Sequence, residues 1–308
     1  MSDALWTSDF IFNGRQLTVR KTGAVVRIDR EVLASAASWL AFYLPIRLRA
    51  ALHAVKGDRR PAVWFAPDQP RPWYLVWAAM AWAGVRIAER PTDADAAFYF
   101  EDATHGRPPK PRNARPLNFE CLDVSKSHVA AVFEQVFGYP LALDPARHRG
   151  LAVEKSEANG VHDGCVVACP RPAKPARVYQ RLIDNREGGD QVVDLRTPFV
   201  GGKPVLVFVK RRPIDRRFAN YNSSVSVMRP QQLFSTAELE RLEAFAKAMK
   251  LDWGGLDILR DLPTNRIYVV DVNKTDMPPL ALPWRDKLRA VSRLAAAFER
   301  LITEETQP

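Results

Sequence analysis

The residues whose types and spacing could do chemistry lie near the C-terminus. The run Trp253-Gly254-Gly255-Leu256-Asp257-Ile258-Leu259 is followed, after a short turn, by Ile267-Tyr268-Val269-Val270-Asp271-Val272-Asn273. Both runs read as apolar strands that carry oxygen donors. The first supplies the Asp257 carboxylate, and the period of two places Asp271 and Asn273 on one face of the second. Hard oxygen donors of this kind suit Mg²⁺ held between carboxylates and phosphates. The same pair also reads as a plain hairpin with carboxylates in its loop.

Upstream segments supply what a phosphate-bearing ligand would need. Residues 151–155 form a short apolar strand ending in Lys155, and residues 156–164 form a polar loop with glycines at 160 and 164. Glycines let a backbone approach phosphate closely, and a lysine sets a point charge against phosphate oxygens. Residues 178–183 read as a strand entering the polar stretch 184–190, where backbone groups could bond an adenine edge. Residues 192–196, a turn at Gly201 and Gly202, and residues 205–209 read as a hairpin that runs into Lys210, Arg211 and Arg212.

Taken together, seven pieces in this order resemble the ATP-grasp superfamily, most nearly the ribosomal-protein glutamate ligase branch, over roughly residues 115–285. They are 123–126 before a helix, 153–155 with its glycine loop, 180–183, Asp194-Leu195-Arg196 with Gly201 and Gly202, Arg211 and Arg212 followed by Asn220, 255–259, and 271–273. The resemblance implies that Lys126 and Lys155 hold the phosphates of ATP. It implies an adenine hinge at Gln180, Arg181, Leu182 and Ile183, and a ribose contact at Asp194. Arg211 or Arg212 would meet the transferred phosphoryl group, and Asp257, Asp271 and Asn273 would hold Mg²⁺. Three departures fall on this pattern. Asp271 stands where such ligases carry Glu, as in the inositol-phosphate kinases of the superfamily; Ser223 and Ser224 replace a Gly-Gly pair; and Phe218 falls near a position that carries Arg.

Plainer readings stand beside these. Lys126 also reads as a solvated helix lysine, Asp194 and Arg196 as an i, i+2 pair on a strand surface, and residues 210–217 as a solvated basic loop or nucleic-acid patch. His162 reads as a surface histidine or as a general base.

A chain of 308 residues with 47% hydrophobic content can hold two or three subdomains. No apolar run reaches the roughly 18 to 20 residues that span a bilayer, and the first residues do not read as a secretory signal. Cys121, Cys165 and Cys169 have no zinc-like spacing, which predicts free thiols in a reducing cytoplasm. The net charge of +10 is spread along the chain apart from the 210–217 cluster, which favours an anionic or small-molecule substrate. No aromatic interleaving or binding motif points to nucleic acid.

The elements that must position these groups are expected as follows. Residues 10–28 alternate as a hairpin turning at Asn13 and Gly14 or at Thr22 and Gly23. Residues 31–55 form a bulky apolar helix broken or kinked at Pro45, which either packs as a core helix or rests on anionic lipid as a peripheral membrane contact. Strands at 61–67, 85–87 and 96–101, with a helix at 73–84, predict a parallel sheet, and residues 104–116 predict a linker. The fold class expected is mixed α/β and α+β: an ATP-grasp fold with an N-terminal α/β preliminary domain at 1–115, a central subdomain with the phosphate loop at 116–180, and a metal-bearing subdomain at 181–308 closed by a helix near 284–302. The chemistry implied is activation of a carboxylate by ATP and Mg²⁺ as an acyl phosphate for capture by an amine. A kinase acting on a hydroxyl and a nucleotide-binding regulator are the alternatives.

Overall fold

The computed structural model describes residues 6–20, 25–55, 60–109, 114–161, 163–219 and 221–303. Strands β1 (Phe10–Asn13), β2 (Gln16–Val19) and β3 (Val25–Arg27) make a small antiparallel sheet. Its first turn falls at Gly14, as the alternation predicts. The second turn, near Thr22 and Gly23, lies outside the described residues.

Helix α1 (Arg30–Val55) follows, and it runs through Pro45 without a break. Phe42 and Ile46 on either side of the proline are fully buried, so packing holds the helix together where a lone peptide would fray. Trp39 stacks on Tyr43 with centroids 4.7 Å apart, and Tyr43 stacks on Trp77 at 5.6 Å.

The predicted parallel sheet is present. It comprises β4 (Ala62–Pro67), then β5 (Arg86–Ile87), β6 (Ala96–Phe100) and β7 (Arg115–Leu117), in the order β5-β4-β6-β7. Helix α2 (Leu75–Ala83) crosses from β4 to β5 and ends at Gly84, which adopts φ +75°. A side chain at Gly84 would meet the His53 ring at 2.7 Å, so glycine here lets α1 and α2 close on each other. Every residue of β6 is buried, as a strand covered on both faces must be. The stretch expected to be linker instead ends in β7, because Arg115 to Leu117 find a free strand edge and pair with it; residues 110–113 lie outside the described residues.

Helix α3 (Lys126–Phe137), capped by Ser125, leads to a second antiparallel sheet of β8 (Gly150–Ser156), β9 (Cys165–Cys169) and β10 (Arg177–Arg181), ordered β10-β8-β9. A third antiparallel sheet follows. It holds β11 (Gln191–Val200), β12 (Lys203–Pro204), β13 (Val207–Pro213), β14 (Ser224–Met228), β15 (Trp253–Arg260) and β16 (Ile267–Asn273), ordered β14-β13-β11-β15-β16 with β12 paired to β11. Helix α4 (Thr236–Ala248) connects β14 to β15, and α5 (Trp284–Thr303) closes the chain.

The period of two divides the large sheet. Val207, Val209, Leu256 and Val272 face a core shared with Phe133 of α3 and Phe245 of α4. Val200, Phe208 and Trp253 face a second core with Phe298 of α5 and Phe98 of the parallel sheet. Helix α5 is therefore wedged between the parallel sheet and the large one.

Candidate active site

Beyond Phe208 and Val200 the same face of the large sheet turns from apolar to charged. Even-numbered positions continue as Lys210 and Arg212 on β13 and as Asp194 and Arg196 on β11. In register Asp194 stands opposite Lys210, Arg196 opposite Asp257, and Asp257 opposite Asp271. These charges interlock. Arg196 donates from Nη1 to Asp257 Oδ2 at 2.7 Å and from Nη2 to Asp276 Oδ1 at 2.9 Å, while Lys210 Nζ reaches Asp257 Oδ1 at 3.2 Å. Arg212 Nη2 donates to Asp194 Oδ2 at 2.6 Å, and Asn185 Nδ2 donates to Asp194 Oδ1 at 3.0 Å.

Burial opposes the charge on Asp257, but Arg196 and Lys210 outweigh it and hold this carboxyl well below the usual carboxylate range. For Asp194 burial wins over Arg212 and Lys210, and its carboxyl is raised. Burial also works against the charge on Arg196, yet Asp257 and Asp276 fix it as a cation. Gly255 makes room for this: a side chain there would lie against Asp276 Oδ2 and 2.7 Å from Arg196 Nε.

A β-bulge sets the position of Asp271. Ile258 pairs with Val269 and Asp257 with Asp271, so Val270 is the extra residue. The bulge reverses the facing of everything after it: Val269 points into the helix-side core, and Asp271 points into the cleft beside Asp257.

The opposite wall comes from the small sheet. Lys155 at the end of β8 donates to the Val270 carbonyl at 3.0 Å, and burial pushes its ammonium down to about 8, with Asp271 pulling it up and Lys126 pushing it further down. Lys126, in the first turn of α3, donates to the Ala158 carbonyl at 3.1 Å and lies 3.6 Å from Asp271 Oδ1. The glycine loop is seated by polar bonds. Glu157 Oε1 accepts from Ser127 N at 3.0 Å and Oγ at 2.7 Å, putting a carboxylate at the start of α3 where the helix dipole favours an anion. Asn159 N donates to Thr104 Oγ1 at 2.9 Å.

Gln180, Arg181 and Ile183 line the cleft at the end of β10, whereas Leu182 does not border it. The Ile183 carbonyl accepts from Arg217 Nη2 at 2.9 Å. The structure thus brings Lys126, Lys155, Gln180, Arg181, Ile183, Asp194, Arg212, Asp257 and Asp271 around one cleft. Arg211, expected beside Arg212, is not there. Strand alternation turns it to the other face, where it pairs with Glu187, its Nη2 donating at 2.8 Å. Asn273 does not border the cleft either; its Oδ1 accepts from Thr275 N at 2.8 Å. Asn220 and His162 lie outside the described residues.

Sequence reasoning passed over Lys210 and Arg217, both of which line the cleft, and Asp276, which anchors Arg196 from behind. Alternation along β13 carried the signal for Lys210, since positions 210 and 212 must share a face. Nothing in the sequence pointed to Asp276.

Around the cleft several buried polar atoms lack a partner: Gln180 Nε2, Arg212 Nε, Asn222 Oδ1 and Asp271 Oδ1. Unpaired buried polar groups are costly, and here they converge on one space. Donors at Gln180 and Arg212 suit a purine edge and phosphate oxygens, and Asp271 Oδ1 beside Asp257, which has Lys126 Nζ at 3.6 Å but no hydrogen bond, suits a hard cation. Among the described residues no three His, Cys, Asp or Glu side chains form a group that could hold a metal by themselves. The donor set at this point is two carboxylates, which fits Mg²⁺ whose remaining ligands are water and phosphate better than a metal caged by protein alone.

No protein-family model and no curated protein matches the sequence. Solved structures do. The chain is similar to the ATP-grasp ligase PsnB complexed with minimal precursor, Mg and ADP, with a TM-score of 0.51 and 13% identity over 79% of this chain and 97% of that one. It is also similar to the RimK domain protein ATP-grasp from Sphaerobacter thermophilus (TM-score 0.46, 14% identity, 77% and 99% covered) and to D-alanine–D-alanine ligase from Bacillus anthracis complexed with ATP (0.46, 13%, 80% and 97%). The chain has the ATP-grasp fold.

Proposed function

We propose that this chain is an ATP-dependent ligase that activates a carboxylate as an acyl phosphate for attack by an amine or similar nucleophile. One observation carries the reading: two carboxylates, Asp257 and Asp271, meet across adjacent strands opposite the ammonium groups of Lys126 and Lys155, with unpaired buried polar atoms around them. The solved structure that it resembles at a TM-score of 0.51 is a ligase with Mg and ADP, which supports ligation over a kinase or a silent regulator.

In this reading the adenine edge lies against Gln180, Arg181 and Ile183, with Lys126 and Lys155 on the phosphates. Asp257 and Asp271 would hold Mg²⁺, which neutralises phosphate charge when bound. Asp194 is the acidic residue on the ribose side, and its pairing with Arg212 couples that end of the cleft to the phosphoryl end. Lys210 and Arg212 take the role of the cations that face the transferred phosphoryl group, in place of Arg211. Such groups act by position and fixed charge, stabilising charge that develops on the phosphoryl oxygens. Arg217 holds the Ile183 carbonyl at the hinge end of the cleft, and Asn222 borders the same space. The domain division at 115 and 180 belongs to this reading, with β7 joining the edge of the parallel sheet and α5 packing against it across those bounds.

The test is product analysis with Mg-ATP and a panel of carboxylates in the presence of hydroxylamine. Formation of ADP, phosphate and a hydroxamate is expected. A stable phosphorylated product would make the enzyme a kinase, and ATP binding without ADP release across the panel would leave only a regulator.

A further inference from the structure

Helix α1 is apolar on two opposite faces, and only one of them is covered. Phe42, Ile46 and Trp39 pack into the core against α2 and α5. The opposite face exposes Leu33, Leu40, Leu44, Leu48, Leu52 and Val55, with Leu48 65% and Val55 85% exposed. At 100° per residue these side chains form one stripe along the helix axis. A helix with two apolar faces is ordinarily buried on both, and a continuous exposed stripe marks a contact surface.

The charges say what covers it. The sequence holds no Asp or Glu between residues 32 and 57, and residues 1–60 hold 10 Lys and Arg against 5 Asp and Glu. Arg30 and Arg47 are exposed on the side of the stripe, while Arg49 is turned inward, its guanidinium 4.9 Å from the Trp82 ring centroid and its Nε donating to the Trp82 carbonyl. The sheet just before α1 adds exposed Phe12 and Val25 together with exposed Arg15, Arg20 and Arg27. A second copy packed stripe to stripe would bury Arg47 against a face with no acid to pair it, and an unpaired buried charge costs several kcal/mol. A bilayer with anionic headgroups meets both demands: acyl chains take the leucines, and phosphate oxygens take the arginines at the surface. Among the described residues no helix is long and apolar enough to cross a membrane, so the contact would lie along the surface.

We propose that the outward face of α1 docks this protein on an anionic phospholipid surface, through a leucine stripe bordered by Arg30 and Arg47. The inference stands apart from the ligase reading, since it rests on residues remote from the cleft.

The test is co-sedimentation of the full chain with vesicles of phosphatidylglycerol and phosphatidylcholine, and with vesicles of phosphatidylcholine alone. Binding to the anionic vesicles is expected, weakening as salt rises. Leu44→Glu combined with Leu48→Glu should lower the partition constant by at least about tenfold, since a charge now sits where apolar surface met lipid. Arg47→Gln should lower it about fivefold. Because all three side chains are exposed, the variants should melt like the parent, and circular dichroism checks that they do. Binding to neither vesicle, or equally to both, overturns the proposal. So does a dimer in sedimentation equilibrium that the leucine pair disperses, which would assign the face to a second copy.

Discussion

Lys155 donates to the carbonyl oxygen of Val270, the residue that the bulge in β16 leaves without a partner. One lysine therefore ties the small sheet to the strand that carries Asp271, and it does so with an ammonium weakened by burial. The bond joins the two walls of the cleft at the point where a nucleotide's phosphates are proposed to enter.

The lowered ammonium has a pH signature. Its value falls from 10.5 to about 8 on folding, so the folded chain binds fewer protons than the unfolded one between those limits. The cost of burying this charge is full below pH 8 and fades as pH rises toward 10.5. Phosphate needs the charged form. For ATP without metal, the logarithm of Kd is expected to be flat near pH 6.5 and to rise by up to about one per pH unit above pH 8. Lys155→Arg should flatten the curve, because a guanidinium stays charged throughout. Titration calorimetry across this range reads it, and a parent curve flat to pH 9.5 would remove Lys155 from the phosphates.

Asp271→Asn tests the proposed metal position. A neutral amide binds a hard cation poorly, so turnover with Mg-ATP should fall by two or more orders of magnitude, on the order expected for losing one charged transition-state contact, while the melting temperature changes little. Asp271→Glu should keep part of the activity. Near-parental turnover of the Asn variant would move the metal elsewhere.

The two neighbouring arginines of β13 should behave oppositely. Arg212→Lys keeps a charge but loses the fork whose Nη2 holds Asp194 while its Nη1 holds the carbonyls of Arg217 and Ala219, and kcat is expected to fall more than ATP affinity. Arg211→Ala breaks a pair with Glu187 and a long bond to Ser226 Oγ, both outside the cleft, and should leave kcat within about twofold of the parent. Equal losses from both would mean that the strand turns in solution in a way the register forbids.

Arg196 is expected to be the most costly residue of the cleft to remove. Arg196→Ala leaves Asp257 and Asp276 as buried carboxylates without their shared cation, at about 3–5 kcal/mol. Raising pH should worsen the defect, since Lys210 still offsets the charge of Asp257 while protonation is what relieves the rest. Urea unfolding at pH 5 and pH 8 measures both effects, and an unchanged midpoint at both would show that Arg196 holds nothing together.

Much of this was legible from the sequence, for reasons that differ by element. The parallel sheet and α2 declared themselves by apolar runs between turn residues, and Asp257, Asp271, Lys126 and Lys155 by their order along the chain. The small strand β7 did not, because three residues among prolines become a strand only when an edge is waiting. Nor did the bulge at Val270, since Val269-Val270 reads as ordinary strand in either register. Arg211 is of another kind: alternation along Lys210, Arg211 and Arg212 puts Arg211 on the face opposite the other two, but which face meets the cleft shows only when the sheet is built. Asp276 could not be read at all, because its partner lies 80 residues away.

Helix α5 carries a consequence for how the molecule is made. The parallel sheet is assembled from residues 62–117, yet Phe98 rests on Phe298, and Arg115 donates from its guanidinium to the carbonyl of Leu301. During synthesis, that sheet would leave the ribosome with part of one face, the part that α1 and α2 do not cover, bare until α5 at residues 284–303 had followed. Contacts of such sequence separation slow folding and leave sticky intermediates exposed. For much of its own translation, then, the nascent chain carries an apolar layer whose cover has yet to be synthesised.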